Sequence, residues 1–387
     1  MSAADLFRRS YGREPEGVFS APGRVNLIGE HTDYTGGLVL PFAIDARANL
    51  AAGANTESVV RVTSAQRPGA VTTVALQDIQ PDSTVAKSWE GYLIGAIWAL
   101  REAGHPVGGF DLALDSQVPS GAGLSSSAAV ECVTTLATSV LSGVKLDAME
   151  IARLAQQAEN DFVGVPCGPM DQTASAASQR GSVLLFDTRA GTVENIPFDP
   201  AAAGLAVLVV DTRVAHSLAD GEYGRRRAAC EQATAILGLR WLRDLSVEQL
   251  PDALARLDSH EPRGDELRRR VRHVVTENDR VEQTVRLLRA GAVADIGELL
   301  TGSHRSLRDD YEVSCPELDL AVESTLAAGA LGARMTGGGF GGSVIALLPV
   351  ADVEAAVARV TADFAASDFT EPVARIVGPA QGARRES

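Results

Sequence analysis

The sequence predicts an α+β protein of two domains. Three observations carry that expectation. The chain has 387 residues, more than one ordinary core needs and enough for two or three domains of roughly 150 residues. Strand-like alternation and helical periodicity recur in both halves, and the last 70 or so residues alternate the two in the order of a compact α+β unit. Between the halves, Asn195-Ile196-Pro197-Phe198-Asp199-Pro200 is the best boundary. The expected domains are therefore residues 1–196 and 197–387. Apolar residues make up 45% and charged residues 22%, so a packed core is expected and general disorder is not.

The elements follow in order. Glycine-rich turns separate β-type runs at Val18 to Ser20, Leu38 to Ile44 and Val59 to Thr63. Trp89 to Glu102 has helical periodicity. Phe110, Leu112 and Leu114 alternate with polar partners, which predicts a strand over Gly109 to Val118. A Gly/Ser loop leads into an apolar helix, Ser126 to Leu141. A second helix, Asp147 to Phe162, places Ile151, Leu154, Ala155 and Ala158 on one face. Beyond the boundary, Leu205 to Val210 reads as a buried strand, and helical segments dominate from Tyr223 to Leu307. The end reads as helix (Glu317 to Ala328), strand (Ala333 to Thr336), glycine turn, strand (Ser343 to Leu348), helix (Asp352 to Phe364) and strand (Val373 to Val377).

Composition excludes several functions. The formal net charge is −15, which argues against nucleic acid or an anionic membrane as partner. Lys87 and Lys145 are the only lysines, and neither sits in a P-loop or in a protein-kinase V-A-I-K strand. Any phosphate chemistry must proceed without a phosphate lysine. Cys132, Cys167, Cys230 and Cys315 show no C-x-x-C spacing and read as free thiols of a reducing compartment. The histidines lack zinc-site spacing. The N-terminus has no apolar signal core, and apolar runs stop near ten residues, short of a membrane span. A cytoplasmic location is the expectation.

Four segments carry chemistry. Val118-Pro-Ser-Gly-Ala-Gly-Leu-Ser-Ser-Ser-Ala-Ala129 lies between a predicted strand and a predicted helix. Its glycines let several N–H groups point one way, and the helix N-terminus adds about half a positive charge, so the loop suits phosphate. An ordinary serine-capped turn is the plainer alternative. In Ala21 to Tyr34, Arg24, Asn26, Glu30, His31 and Asp33 crowd beside two glycines. Carboxylates that accept two hydroxyl bonds each suit a polyol, and a solvated polar turn is the alternative. In Cys167-Gly-Pro-Met-Asp-Gln172, Pro169 fits a first helical position and puts Asp171 in the first turn, where a capping role is the simpler reading. Glu159, on the preceding helix, is either a solvated residue or an oxygen ligand that joins Ser127 at magnesium. In Gly332 to Ser343, five of the six residues Gly337 to Gly342 are glycine. A hairpin needs one or two, so close backbone approach to a ligand or to another loop explains the surplus better than a flexible loop does.

Together these segments resemble the GHMP small-molecule kinase superfamily, and within it the galactokinase family. Gly23 to Pro41 (GRVNLIGEHTDYTGGLVLP) follows the galactokinase signature nearly letter for letter. Gly121 to Ser127 is similar to the superfamily's ATP motif, and the terminal glycine run to its third motif. The matches keep the family's order over roughly residues 8 to 378.

The resemblance implies a mixed-sheet N-terminal domain and a ferredoxin-like α+β C-terminal domain with the active site between them. It implies ATP and Mg²⁺ as cofactors, with phosphoryl transfer to the anomeric hydroxyl of D-galactose. It assigns Asp171 as catalytic base and Arg24 as transition-state stabiliser. Glu30, His31, Thr32, Asp33, Gly168, Asp171 and Tyr223 become sugar contacts. Gly121, Ala122, Gly123, Leu124, Ser125, Ser126 and Ser127 become the triphosphate loop, with Ser64 as a further nucleotide contact. Ser127 and Glu159 become the metal ligands. It implies a monomer that acts on small molecules, without nucleic-acid or membrane partners. The family usually has asparagine at Thr35 and Gly224 and an aliphatic residue at Pro169; of these, Gly224 is expected to loosen a sugar-side loop. The nearest rival activities are phosphorylation of N-acetylgalactosamine or arabinose. A catalytically silent galactose sensor is a further rival, disfavoured by the intact Ser126-Ser127-Ala128-Ala129 and by the presence of Asp171 and Arg24. A free aspartate, with pKa about 3.9, is a poor base for a hydroxyl. Phosphoryl transfer nevertheless passes through a loose transition state in which the proton can leave late.

Overall fold

Three sheets organise the fold of the computed structural model, which describes residues 1–214, 219–258, 260 and 262–387. The strands are β1 (Gly17–Asn26), β2 (Leu38–Val39), β3 (Pro41–Asn55), β4 (Val59–Ser64), β5 (Arg67–Ala75), β6 (Gly109–Ser116), β7 (Ser182–Asp187), β8 (Thr192–Pro197), β9 (Leu205–Asp211), β10 (Gly332–Thr336), β11 (Ser343–Pro349), β12 (Val373–Val377) and β13 (Arg384–Arg385). The helices are α1 (Ala3–Tyr11), α2 (Gly91–Glu102), α3 (Ser126–Leu141), α4 (Ala148–Gln157), α5 (Met170–Ala177), α6 (Ala219–Leu237), α7 (Leu250–Asp258), α8 (Gly264–Arg289), α9 (Gly297–Ser306), α10 (Pro316–Ala327) and α11 (Val353–Ala366).

A six-stranded sheet in the order β13-β1-β3-β6-β4-β5 is mixed, because β4 and β6 run parallel while the other pairs are antiparallel. A three-stranded sheet, β2-β7-β8, lies beside it. The second half builds an antiparallel sheet, β10-β11-β9-β12. Its central strand β9 is buried on both faces, as its unbroken apolar sequence requires. Leu205, Val207 and Val209 face the core built on the first sheet. Ala206, Leu208 and Val210 face a second core under α6, α7, α8, α10 and α11. The register of one strand thus welds the two halves together. The last strand, β13, returns to pair with β1.

The α+β expectation holds, and the predicted helix Ser126–Leu141 and strand Val373–Val377 have those bounds in the structure. The run Leu38 to Ile44 is not one strand. Pro41 lacks the N–H that a continuous ladder would use, and the chain passes there from β2 in the small sheet to β3 in the large one. The helix predicted over 147–162 is α-helical only to Gln157 and continues as a π-helical turn, Ala158–Val163. Gly224, expected in a loop, lies inside α6. The four cysteines are free. Among the described residues, no helix is long and apolar enough to cross a membrane.

Candidate active site

Two cavities bear on the segments singled out in the sequence, one lined from both halves and one from the first half alone. The smaller, of 180 Å³, is lined by residues including Arg24, Glu30, His31, Asp33, Cys167, Gly168, Asp171, Tyr223, Gly337 and Gly338. The larger, of 640 Å³, is lined by Ser64, Trp89, Tyr92, Ser120, Gly121, Ser126, Ser127 and others. The four segments singled out in the sequence converge on these two spaces.

Asp171 lines the smaller cavity and bonds to the loop that borders the larger. It sits in the first turn of α5, as expected, although Pro169 caps the helix and Met170, not Pro169, takes its first position. Its Oδ1 accepts from Arg24 Nε at 2.8 Å, with Arg24 Nη2 at 2.7 Å. Its Oδ2 accepts from Ser125 Oγ at 2.5 Å. The Arg24 guanidinium is almost fully buried at 5% exposure, and its Nη1 donates to the carbonyl of Gly123 at 2.6 Å. Charge-assisted bonds of this kind are the strong ones, so Arg24 couples the carboxylate to the Gly/Ser loop. Ser125 itself has left-handed backbone, φ 57°, a conformation that non-glycine residues hold only when their surroundings enforce it.

The loop divides into two parts. Gly121, Ser126 and Ser127 face the larger cavity, and Ser64 lies across from them at the end of β4. Ala122, Gly123 and Leu124 turn their carbonyls inward, to Ser343 Oγ, the Arg24 side chain and the Arg24 backbone N–H. The third glycine run packs against this inner part. A Cβ on Gly337 would lie 3.1 Å from the Gly123 carbonyl, and one on Gly339 only 2.3 Å from that of Val313. The surplus glycines serve loop-on-loop contact.

On the wall of the smaller cavity, Glu30 Oε1 accepts from the backbone of Gly337 at 2.8 Å and from Thr336 Oγ1 at 3.2 Å, with Arg334 at 3.6 Å. Burial pushes its carboxyl above the ordinary range, against the pull of Arg334. Burial, and then the neighbouring Asp171, raise Asp33 to about 7. Burial holds His31 down to about 3, so it is neutral. Tyr223 comes from α6 and lies 5.6 Å from the His31 ring, centroid to centroid. Thr32 belongs to the same turn but does not line the cavity: its hydroxyl donates to the carbonyls of Gly29 and Leu38. Gly168 approaches Asp33 so closely that a Cβ there would lie 1.8 Å from Oδ2.

Glu159, in the π-helical turn, lies near Ser127; burial raises its carboxyl, against the lowering effect of the Ser127 hydroxyl. Gln172 Nε2 donates to Glu159 at 2.5 Å and to Glu131 at 3.1 Å. Burial and then the neighbouring Glu159 push the Glu131 carboxyl well above its ordinary range. Sequence reasoning missed Glu131, although it is the only charged residue of apolar α3 and sits one turn beyond Ser127. Missed too were Tyr34, Tyr311 and the fully buried Arg334. Arg225 and Arg227 pair with Glu222 and Glu231. Arg226 also reaches Glu222 and turns inward to the carbonyls of Tyr311 and Glu312.

Known proteins match this arrangement along the whole chain. Residues 5–54 match the galactokinase galactose-binding signature, residues 91–179 the GHMP kinases N terminal domain and residues 284–366 the GHMP kinases C terminal domain. A galactokinase of Streptomyces coelicolor is 51% identical over 384 residues, covering 99% of this chain and 98% of that one. One of Roseiflexus is 42% identical over 90% of this chain and 88% of its own. The crystal structure of Lactococcus lactis galactokinase complexed with galactose superposes with a TM-score of 0.92 at 30% identity, covering 98% of both chains. Likeness of that extent, across both cavities and both halves, means that the chain belongs to the galactokinase family of GHMP kinases and is an ATP-dependent sugar kinase.

Proposed function

We propose that this kinase transfers the γ-phosphoryl group of Mg²⁺-ATP to the anomeric hydroxyl of D-galactose, giving galactose 1-phosphate. The sugar fills the smaller cavity and the nucleotide the larger. One observation carries the reading: the Asp171 carboxylate is bonded at one oxygen to Arg24 and at the other to Ser125 of the Gly/Ser loop, while it also lines the smaller cavity. A group so placed touches both partners of the transfer.

Asp171 orients the attacking hydroxyl in line with the γ-phosphorus and takes its proton late, since a loose transition state needs little early deprotonation. Arg24 stabilises the developing charge. Three of its five N–H donors are engaged with Asp171 and Gly123, which leaves two for phosphate oxygens. Glu30, Asp33 and Tyr223, with Gly168 at their back, offer acceptors and a donor to the sugar hydroxyls. His31 stands beside them. Gly121 to Ser127 and Ser64 form the nucleotide site.

Among the described residues, no cluster of three or more His, Cys, Asp or Glu can hold a metal alone. Magnesium does not need one, because it binds through one or two protein oxygens plus phosphates and water. The Ser127 hydroxyl and the Glu159 carboxylate are neighbouring hard oxygen donors, so they fit. When bound, the ion neutralises phosphate charge and aligns the triphosphate. In the same reading the chain acts as a cytoplasmic monomer, and its domains divide near residue 196. That division is supported by the separate sheet that begins at β9.

The test is galactose-dependent release of ADP, compared with N-acetylgalactosamine and arabinose, with ³¹P NMR of the product. The expected product carries phosphate at C1 of galactose, and kcat/KM is highest for that sugar. Absence of galactose-dependent turnover, or phosphate on another carbon, would refute the proposal.

A further inference from the structure

Behind the sugar pocket a chain of hydrogen bonds joins the first half of the molecule to the second. His31 Nε2 lies 3.1 Å from the carbonyl of Gly338, and its Nδ1 lies 2.9 Å from Tyr34 Oη. Tyr34 Oη is 2.7 Å from Tyr311 Oη, which is 3.1 Å from Cys230 Sγ. The direction of every link follows from the first. A carbonyl only accepts, so Nε2 carries the proton; the buried imidazole is neutral, so Nδ1 accepts. Tyr34 therefore donates to His31, Tyr311 donates to Tyr34, and the Cys230 thiol is left to donate to Tyr311. His31 also has left-handed backbone, φ 61°, which for a non-glycine residue requires enforcement by its surroundings.

We propose that Tyr34 and Tyr311 are positioning residues: through this chain they fix the tautomer and pose of His31 and so hold the Gly338 carbonyl, part of the third glycine run, as a wall of the sugar pocket. Gly337 and Gly338 both line that pocket, and the neighbouring Gly337 N–H is the donor that holds Glu30. Tyr311 is itself anchored, because Arg226 Nε donates to its carbonyl at 2.8 Å. It also ends a π-helical turn, Leu307–Tyr311, a local irregularity of the kind that often marks function. Arg226 lies in α6, the helix that brings Tyr223 to the sugar. The two sides of the sugar pocket are thus tied to one buried phenol.

The proposal rests on the smaller cavity being the sugar site, and the experiment separates the two ideas. The first arm is ¹⁵N NMR of the ring of His31 in the wild-type protein, a readout that needs no turnover. Protonation at Nε2, with a tautomer shift in Tyr34→Phe or Tyr311→Phe, is expected; an Nδ1–H tautomer in the wild type overturns the chain. The second arm is steady-state kinetics. Each single variant is expected to raise the galactose KM about fivefold, the scale of one buried hydrogen bond. kcat and the ATP KM should stay within twofold of wild type. The double variant should be no worse than Tyr34→Phe alone, because the chain is already cut at that link. Unchanged sugar KM, multiplicative effects in the double variant, or an equal rise in the ATP KM would show mere core packing and overturn the proposal. If the wild type turned over no galactose, the functional reading would fail while the NMR arm still decided the chain.

Discussion

Gly168→Ala is the sharpest steric test of the sugar site. Gly168 is absent from the positions with left-handed backbone, so alanine meets no backbone penalty there, and the effect is purely one of space. The added Cβ would lie 1.8 Å from Asp33 Oδ2, 2.3 Å from its Cγ and 2.7 Å from Oδ1. Ordinary contact begins at 3.4 Å, so the carboxylate must withdraw by roughly 1.5 Å to restore normal van der Waals separation. That is about half a hydrogen-bond length and removes Asp33 from bonding range of any hydroxyl that it held. Hydrogen bonds to charged groups contribute about 1.5–3 kcal/mol each; losing even one weakens sugar binding at least tenfold. The expected result is a galactose KM raised tenfold or more, with the ATP KM unchanged. Gly224→Ala is the control: a Cβ there meets nothing within 4 Å, and alanine favours a helix by up to about 1 kcal/mol, so its kinetics should match wild type. A galactose KM for Gly168→Ala within twofold of wild type would refute the assignment of Asp33 to the sugar.

Asp171→Asn should bind galactose within a few-fold of wild type by calorimetry while turnover falls by about 10² to 10⁴, the usual worth of a positioned acid–base group; near-normal kcat would remove Asp171 from the chemistry. Asp33, raised to about 7 by burial and by Asp171, is protonated below that pH and cannot then accept from two hydroxyls. The galactose KM should fall about tenfold as pH rises from 6 to 8, and Asp33→Asn should flatten that profile at high KM; a profile already flat in the wild type would contradict the role. The sign for stability is the opposite, since the raised pKa favours the fold most below the unfolded value near 3.8, and that contribution is lost as pH rises through about 7. Glu159→Gln should raise the Mg²⁺ concentration for half-maximal rate by ten- to a hundredfold, whereas Glu131→Gln, isosteric and at a carboxyl that Gln172 also holds, should shift it less than threefold; equal shifts would make Glu131 a ligand too.

What was legible in the sequence, and what was not, divides along a physical line. Segments whose chemistry depends on local order were readable: the strand–loop–helix around Ser125, the first-turn Asp171 after Pro169, and the long apolar helix α3. Glycine surplus at 337–342 predicted a close approach, and the partner proved to be the inner half of the Gly/Ser loop. What stayed hidden depends on contacts across hundreds of residues. Arg334 is separated from Glu30 by the length of the chain, and nothing in its strand distinguishes it from a surface arginine. Tyr34 and Tyr311 meet 277 positions apart, and no local pattern announces that a phenol donates to another phenol. Glu131 was findable, because one acid in a buried helix has to be explained. Strand ends failed where a single atom decided, as at Pro41, whose missing N–H splits one apolar run between two sheets.

The charge balance of the cleft explains how a kinase dispenses with a phosphate lysine. Near the two cavities stand Glu30, Asp33, Glu131, Glu159 and Asp171, against Arg24, Arg67 at the larger cavity and the buried Arg334. A nucleotide that brought only its own negative charge into this company would be repelled. Two features offset that. Burial disfavours the charged form of several of the acids and raises the carboxyls of Asp33, Glu131 and Glu159. On the proposed reading, the compensating cation arrives with the nucleotide as Mg²⁺ and meets Ser127 and Glu159. An arrangement of this kind makes the site selective at the entry step. On that reading free ATP, without its ion, meets few positive partners, Arg67 among them, while Arg24 is held by Asp171 and Gly123 in the pose that the transfer requires. A lysine in the loop would bind the triphosphate with or without a metal. In the proposed reading, a carboxylate and a hydroxyl favour the metal complex over the free triphosphate.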